Sequence, residues 1–163
     1  MKPAELVALL QDLHRDKLAA FLRREAGARH VASYEFNNTY QYILNRDDVH
    51  LSWIRDALID LGAQADESVE TPAVPSTGKG EARAMAIIEA DARDARGFLA
   101  RWRPRIERVS HARHRKMIEL LIGESAEQLR FFEQALAGRL DLLGRRPDGA
   151  GTGGGVLSAR WVN

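Results

Sequence analysis

The chain has 163 residues, 45% hydrophobic and 29% charged, with 24 Lys and Arg against 23 Asp and Glu for a net charge of +1. That length suits one domain with a core of its own, and a near-neutral balance argues against nucleic acid or an anionic membrane as a partner. Cysteine is absent, which excludes disulfides, thiolate metal sites, iron–sulfur clusters and cysteine nucleophiles, so any metal must be held by oxygen and imidazole.

The N-terminus Met1-Lys2-Pro3-Ala4-Glu5 lacks the apolar stretch of a signal peptide. No run approaches the roughly 18 apolar residues of a membrane span, and the expected address is the cytoplasm. Helix formers dominate and apolar residues recur at three and four, so the sequence predicts four helices and no sheet. The first spans roughly 4–26, with Val7, Leu10, Leu18 and Phe21 on one face and Gly27 as its stop. A second spans roughly 31–61 and ends at Gly62, with Phe36, Tyr40, Ile43, Leu51, Ile54 and Leu58 on its apolar face.

Residues 62–80 hold Pro72, Pro75, Gly78 and Gly80 without periodicity, a linker composition. The third helix is expected from about 81 to Trp102, where Pro104 breaks it, and the fourth from about 105 to Ala137, ending at Gly138. A short turn, a long crossover and another short turn describe two helical hairpins in one bundle, covering residues 1–143. Residues 144–163 form a glycine-rich tail closing on Val156-Leu157-Ser158-Ala159-Arg160-Trp161-Val162.

The two halves repeat. His50 stands twelve residues before Gly62 and Glu127 eleven before Gly138, which aligns Asp47-x-x-His50 with Glu124-x-x-Glu127. Seven residues before Phe21 is His14, and seven before Phe98 is Asp91; the same 33 residues separate His14 from Asp47 and Asp91 from Glu124. Each pair can therefore lie at one height on adjacent antiparallel helices. These positions are polar within apolar stripes: His14 has Leu10 and Leu18 four residues to either side, and Asp47 has Ile43 and Leu51. Buried charges at such sites need mutual compensation.

In this pattern the sequence resembles the ferritin-like superfamily, most nearly the rubrerythrin-type diiron four-helix bundles. Those carry Glu on the first and third helices and Glu-x-x-His on the second and fourth. Here Asp47-x-x-His50 matches the second helix with Asp for Glu, Asp91 the third with a shorter acid, and Glu124-x-x-Glu127 the fourth with Glu for His, while His14 takes the first-helix position. The total of four acids and two histidines is kept.

The resemblance implies a di-metal centre of two iron ions, with manganese or zinc as alternatives, acting on dioxygen, peroxide or ferrous iron. Its ligands would be His14, Asp47, His50, Asp91, Glu124 and Glu127, with Asp47 and Glu124 bridging, and Tyr40 placed to relay electrons. The alternative is a bundle of the same ancestry without metal, keeping a buried acid and imidazole network and serving as a structural or protein-interaction module. A homodimer is expected. His111 and His114 stand among Arg108, Arg113, Arg115 and Lys116, a basic surface rather than a metal site. The tail resembles in layout the C-terminal targeting peptides of ferritin-like cargo of encapsulin shells; docking to its own bundle or to a dimer mate is the other reading.

Overall fold

A computed structural model describes residues 1–143. It contains helices α1 (Pro3–Ala28), α2 (Tyr34–Asp60), α3 (Gly80–Ile106) and α4 (Ala112–Leu136), with no strand among the described residues. None of these helices is long and apolar enough to cross a membrane. The tail from residue 144 lies outside the described residues, as do the docking readings made for it.

The helix ends follow local chemistry. Pro3 opens α1, where its missing N–H costs nothing, and the Glu5 carboxylate accepts from the Lys2 amide at 2.8 Å. The Ser33 hydroxyl accepts from Phe36 N–H, so α2 begins at Tyr34 rather than at Val31, which is buried in the turn. Gly62 and Gly138 both lie at positive φ (73° and 90°). Each closes its helix by the expected paired bonds: Ala63 N to Leu58 O and Gly62 N to Ile59 O in one, Arg139 N to Gln134 O and Gly138 N to Ala135 O in the other, all at 2.9 Å.

Other boundaries differ from expectation as well, and α4 begins at Ala112 rather than near residue 105. Gly27 does not stop α1; it lies buried inside it, and a Cβ there would come within 2.9 Å of Ile87 Cγ2. Its lack of a side chain serves a close approach of α1 to α3. Pro104 sits in the last turn of α3, which runs on to Ile106 because the buried Trp102 and Ile106 anchor that turn, with the Arg105 guanidinium 4.7 Å from the Trp102 ring centroid.

α1 pairs with α2 and α3 with α4 as antiparallel hairpins. Polar contacts between the hairpins give their direction: Arg23 meets Asp91 and Asp16 meets Trp102 on α1 and α3, while Asp47 meets Gln128 and Asp60 meets Arg113 on α2 and α4. All four neighbouring pairs are therefore antiparallel, and residues 61–79 must carry the chain the length of the bundle. They do so along α1, from Gln64 O at Gln11 (3.1 Å), past Glu67 at His14, to Val74 near Gly27.

Each helix presents a three-four stripe inward: Leu6, Leu10, Leu13, Lys17 and Arg24 on α1; Phe36, Tyr40, Ile43, Asp47, His50 and Ile54 on α2; Ile88, Asp91, Ala95, Phe98 and Trp102 on α3; Ile118, Leu121, Ser125, Gln128 and Phe132 on α4. The apolar core consequently falls into two clusters. One gathers around Leu10, Ile54, Trp102 and Ile118, the other around Phe36, Tyr40, Ile88 and Phe132. Lys17, Asp47, His50, Ser125 and Gln128 are buried polar residues that belong to neither.

Candidate functional site

Asp47 is the hub of this polar belt. It is fully buried, and Lys17 Nζ donates to its Oδ1 at 2.6 Å while Arg24 Nη1 donates to Oδ2 at 2.5 Å. Gln128 Nε2 adds a third donor to Oδ1 at 2.9 Å, and its Oε1 accepts from Arg24 Nη1 at 2.9 Å. α1, α2 and α4 thus share one carboxylate. Burial alone would raise the Asp47 carboxyl, but the Lys17 ammonium and the Arg24 guanidinium outweigh it and hold the group well below the usual carboxylate range.

Burial pulls the Lys17 ammonium down, with Asp47 opposing. Burial would also depress Arg24, but Asp47 and Asp91 push it up. Aromatic faces complete the cations' surroundings: Lys17 Nζ lies 5.5 Å from the Phe98 ring centroid and Arg24 Cζ 5.4 Å from that of Phe132.

Asp91 lies beside this hub on α3. Tyr40 Oη donates to its Oδ2 at 2.6 Å and Arg23 Nε to its Oδ1 at 3.0 Å; Arg23 also pairs with Asp94. Tyr40 packs edge-on against Phe36, centroids 5.3 Å apart, and its phenol is pushed well above its ordinary value, first by burial and then by the Asp91 carboxylate. It is a buried proton donor held in the neutral form.

Glu124 is half-buried on α4. Arg46 grips it with a two-pronged contact at 2.7 and 2.6 Å, and His50 Nε2 lies 2.9 Å from its Oε2. The Arg46 bonds lower the Glu124 carboxyl, burial opposes, and His50 lowers it further. His50 Nδ1 stands 3.7 Å from Asp47 Oδ1, so Asp47, His50 and Glu124 form a line from core to surface.

The other two expected ligands stand apart. His14 is buried beneath the crossover with Nε2 3.5 Å from Glu67 Oε1, and neither ring nitrogen has a hydrogen-bond partner among the described residues. Burial lowers its pKa, with Glu67 opposing. Glu127 is 41% exposed and bonds Arg130 at 3.1 Å on its own helix.

The donor set as placed does not fit a pair of divalent cations. Both oxygens of Asp47, of Asp91 and of Glu124 already accept from side-chain donors, chiefly cationic ones. Among the described residues no three His, Asp or Glu side chains gather around a common point. The positive charge that compensates these acids comes from Lys17 and Arg24 at Asp47, Arg23 at Asp91 and Arg46 at Glu124, and the repeat pointed to none of them, least of all to the buried Lys17 and Arg24. A signal for them existed: Leu6, Leu10, Leu13, Lys17, Arg24 and Gly27 follow one three-four stripe, on which two basic residues interrupt an apolar run. Gln128 continues the Ile118, Leu121, Ser125 stripe in the same way.

No known protein family matches the chain, and searches of curated proteins and of solved structures return no match.

Proposed function

We propose that this chain is a ferritin-like bundle that works without metal, with Lys17 and Arg24 taking the place of the two cations, and that it serves as a structural or protein-interaction module. The observation that carries this reading is the occupation of both Asp47 oxygens by an ammonium and a guanidinium from α1. An internal cation and a bound metal compete for the same lone pairs. Within the module the belt sets helix register: sliding α2 by one turn against α1 or α4 would leave Asp47, Lys17, Arg24 and Gln128 buried and unpaired, a cost that an all-apolar core would not impose.

The test is metal content after anaerobic reconstitution with ferrous iron, on the natural chain and on Asp47→Ala/Glu124→Ala. Equal, substoichiometric iron in both is the expected result. Near two irons per natural chain, lost in the variant, would overturn the reading and restore the di-iron centre.

A further inference from the structure

A second feature of the polar belt faces outward. Between α1 and α3 opens a cleft of about 210 Å³ lined by Lys17, Arg23, Arg24 and Arg101, with Asp16 and Asp94 also in its wall. This is smaller than the roughly 300–1,000 Å³ of sites for drug-sized organic ligands and suits a small ion. Its lining is short between the charges, with Ala20, Ala95 and Ser125. Asp47 and Asp91, the acids that hold the inner cations, are not part of the lining.

Two donors in this wall lack acceptors among the described residues, and a third has N–H groups to spare. Arg24 is 97% buried and its Nε has no hydrogen-bond partner among the described residues; the buried Nη2 of Arg23 has none there either. Lys17 Nζ carries three N–H groups and makes one hydrogen bond among the described residues, to Asp47. The two wall acids are already engaged, Asp16 by Trp102 Nε1 at 2.8 Å and by Arg101, and Asp94 by Arg23. Buried guanidinium N–H groups left unpaired are costly, and no acceptor for them is supplied among the described residues.

We propose that the cleft between α1 and α3 binds a small oxyanion, held by Lys17, Arg23 and Arg24 from α1 with Arg101 at the mouth. The site goes beyond the structural reading of the bundle and rests on it in one respect, that Lys17 and Arg24 are the belt's own cations. A tetrahedral or planar oxyanion offers several acceptors at once, which suits N–H groups from three side chains lining one cleft better than a halide. Arg101 at the mouth is 51% exposed and pairs with Asp16 at 3.2 Å.

The experiment is calorimetric titration of inorganic phosphate into the full chain, pre-treated with EDTA, at constant ionic strength held by chloride. One saturable site is expected, weakened about tenfold or more by Arg23→Gln, which removes a charge-assisted donor, and abolished by Ala20→Phe, which fills the cleft. Arg24→Met should also abolish it; should that variant fail to fold, the other two decide. Heats that do not saturate, or that equal those of chloride alone, or affinity unchanged in Arg23→Gln and Ala20→Phe, overturn the proposal. Phosphate binding that appears only after ferrous iron is added also overturns it and counts against the metal-free reading, whereas absent phosphate binding in an iron-free chain leaves that reading standing.

Discussion

Lys17 and Asp47 face each other across the α1–α2 interface with Nζ 2.6 Å from Oδ1, and neither side chain is more than 2% exposed. A pair so placed gains little net stability over an apolar pair but is costly to break on one side. Asp47→Leu alone should therefore destabilise the chain by about 3–5 kcal/mol, because Lys17 and Arg24 lose their shared partner. Lys17→Met/Asp47→Leu should cost clearly less than the two single changes added. Urea denaturation of the four chains gives the coupling directly; additive single changes would show that the pair is not coupled.

Acid stability follows from the same carboxylate. Its pKa is depressed in the folded chain, so its stabilisation is present above the unfolded value of about 4 and is lost as the pH falls from there toward the folded value. One extra proton taken up on unfolding changes stability by about 1.4 kcal/mol per pH unit within that window. Asp47→Asn should flatten the acid limb of a stability profile below pH about 4 and leave its shape near neutrality unchanged.

Tyr40 gives the opposite limb. Its pKa is raised on folding, so its contribution holds below about pH 10 and is lost as the pH rises above it. Tyr40→Phe leaves Asp91 Oδ2 without its 2.6 Å donor, at a cost of about 1–3 kcal/mol at neutral pH. The difference between the two chains should narrow above pH 10, as thermal unfolding across pH 7–11 would show.

Gly27→Ala tests the approach of α1 to α3. The new methyl would gain about 1 kcal/mol of helix propensity but meet Ile87 Cγ2 at 2.9 Å, a methyl on the branched Cβ that can move only with the whole stiff side chain. Overpacking of this kind costs about 1–3 kcal/mol, so a lower urea midpoint is expected. Gly97→Ala, on the same interface with open space around it, should raise the midpoint.

Much of this architecture is legible in the sequence. The three-four stripes predict the helices, Gly62 and Gly138 mark ends that adopt the left-handed turn, and the length of the crossover predicts the two hairpins. The repeat aligns Asp47-x-x-His50 with Glu124-x-x-Glu127, and in the structure His50 lies between Asp47 (3.7 Å) and Glu124 (2.9 Å). The repeat also put His14 at the centre, whereas Lys17, one turn further along, takes that position. His14 and Lys17 lie on neighbouring stripes of one helix, and the crossover, a segment without periodicity, covers the His14 stripe and so turns Lys17 inward.

Glu127 shows the other limit. Three residues past Glu124, it could have faced the core or the surface, and the adjacent Gln128 holds the inward position and bonds Asp47, leaving Glu127 to Arg130. Counting polar residues in apolar stripes found the acids. Long basic side chains escaped the count because their stems pass as part of an amphipathic surface.

The covalent tethering of Lys17 and Arg24 to α1 has a kinetic side. A dissociable ion at Asp47 would have an off-rate and a free concentration, so the folded population would track supply, dilution and chelators. A counter-charge that is part of the chain has neither. Assembly of the belt is unimolecular, complete whenever α1 docks on α2, and the same in a nanomolar as in a millimolar solution of this protein.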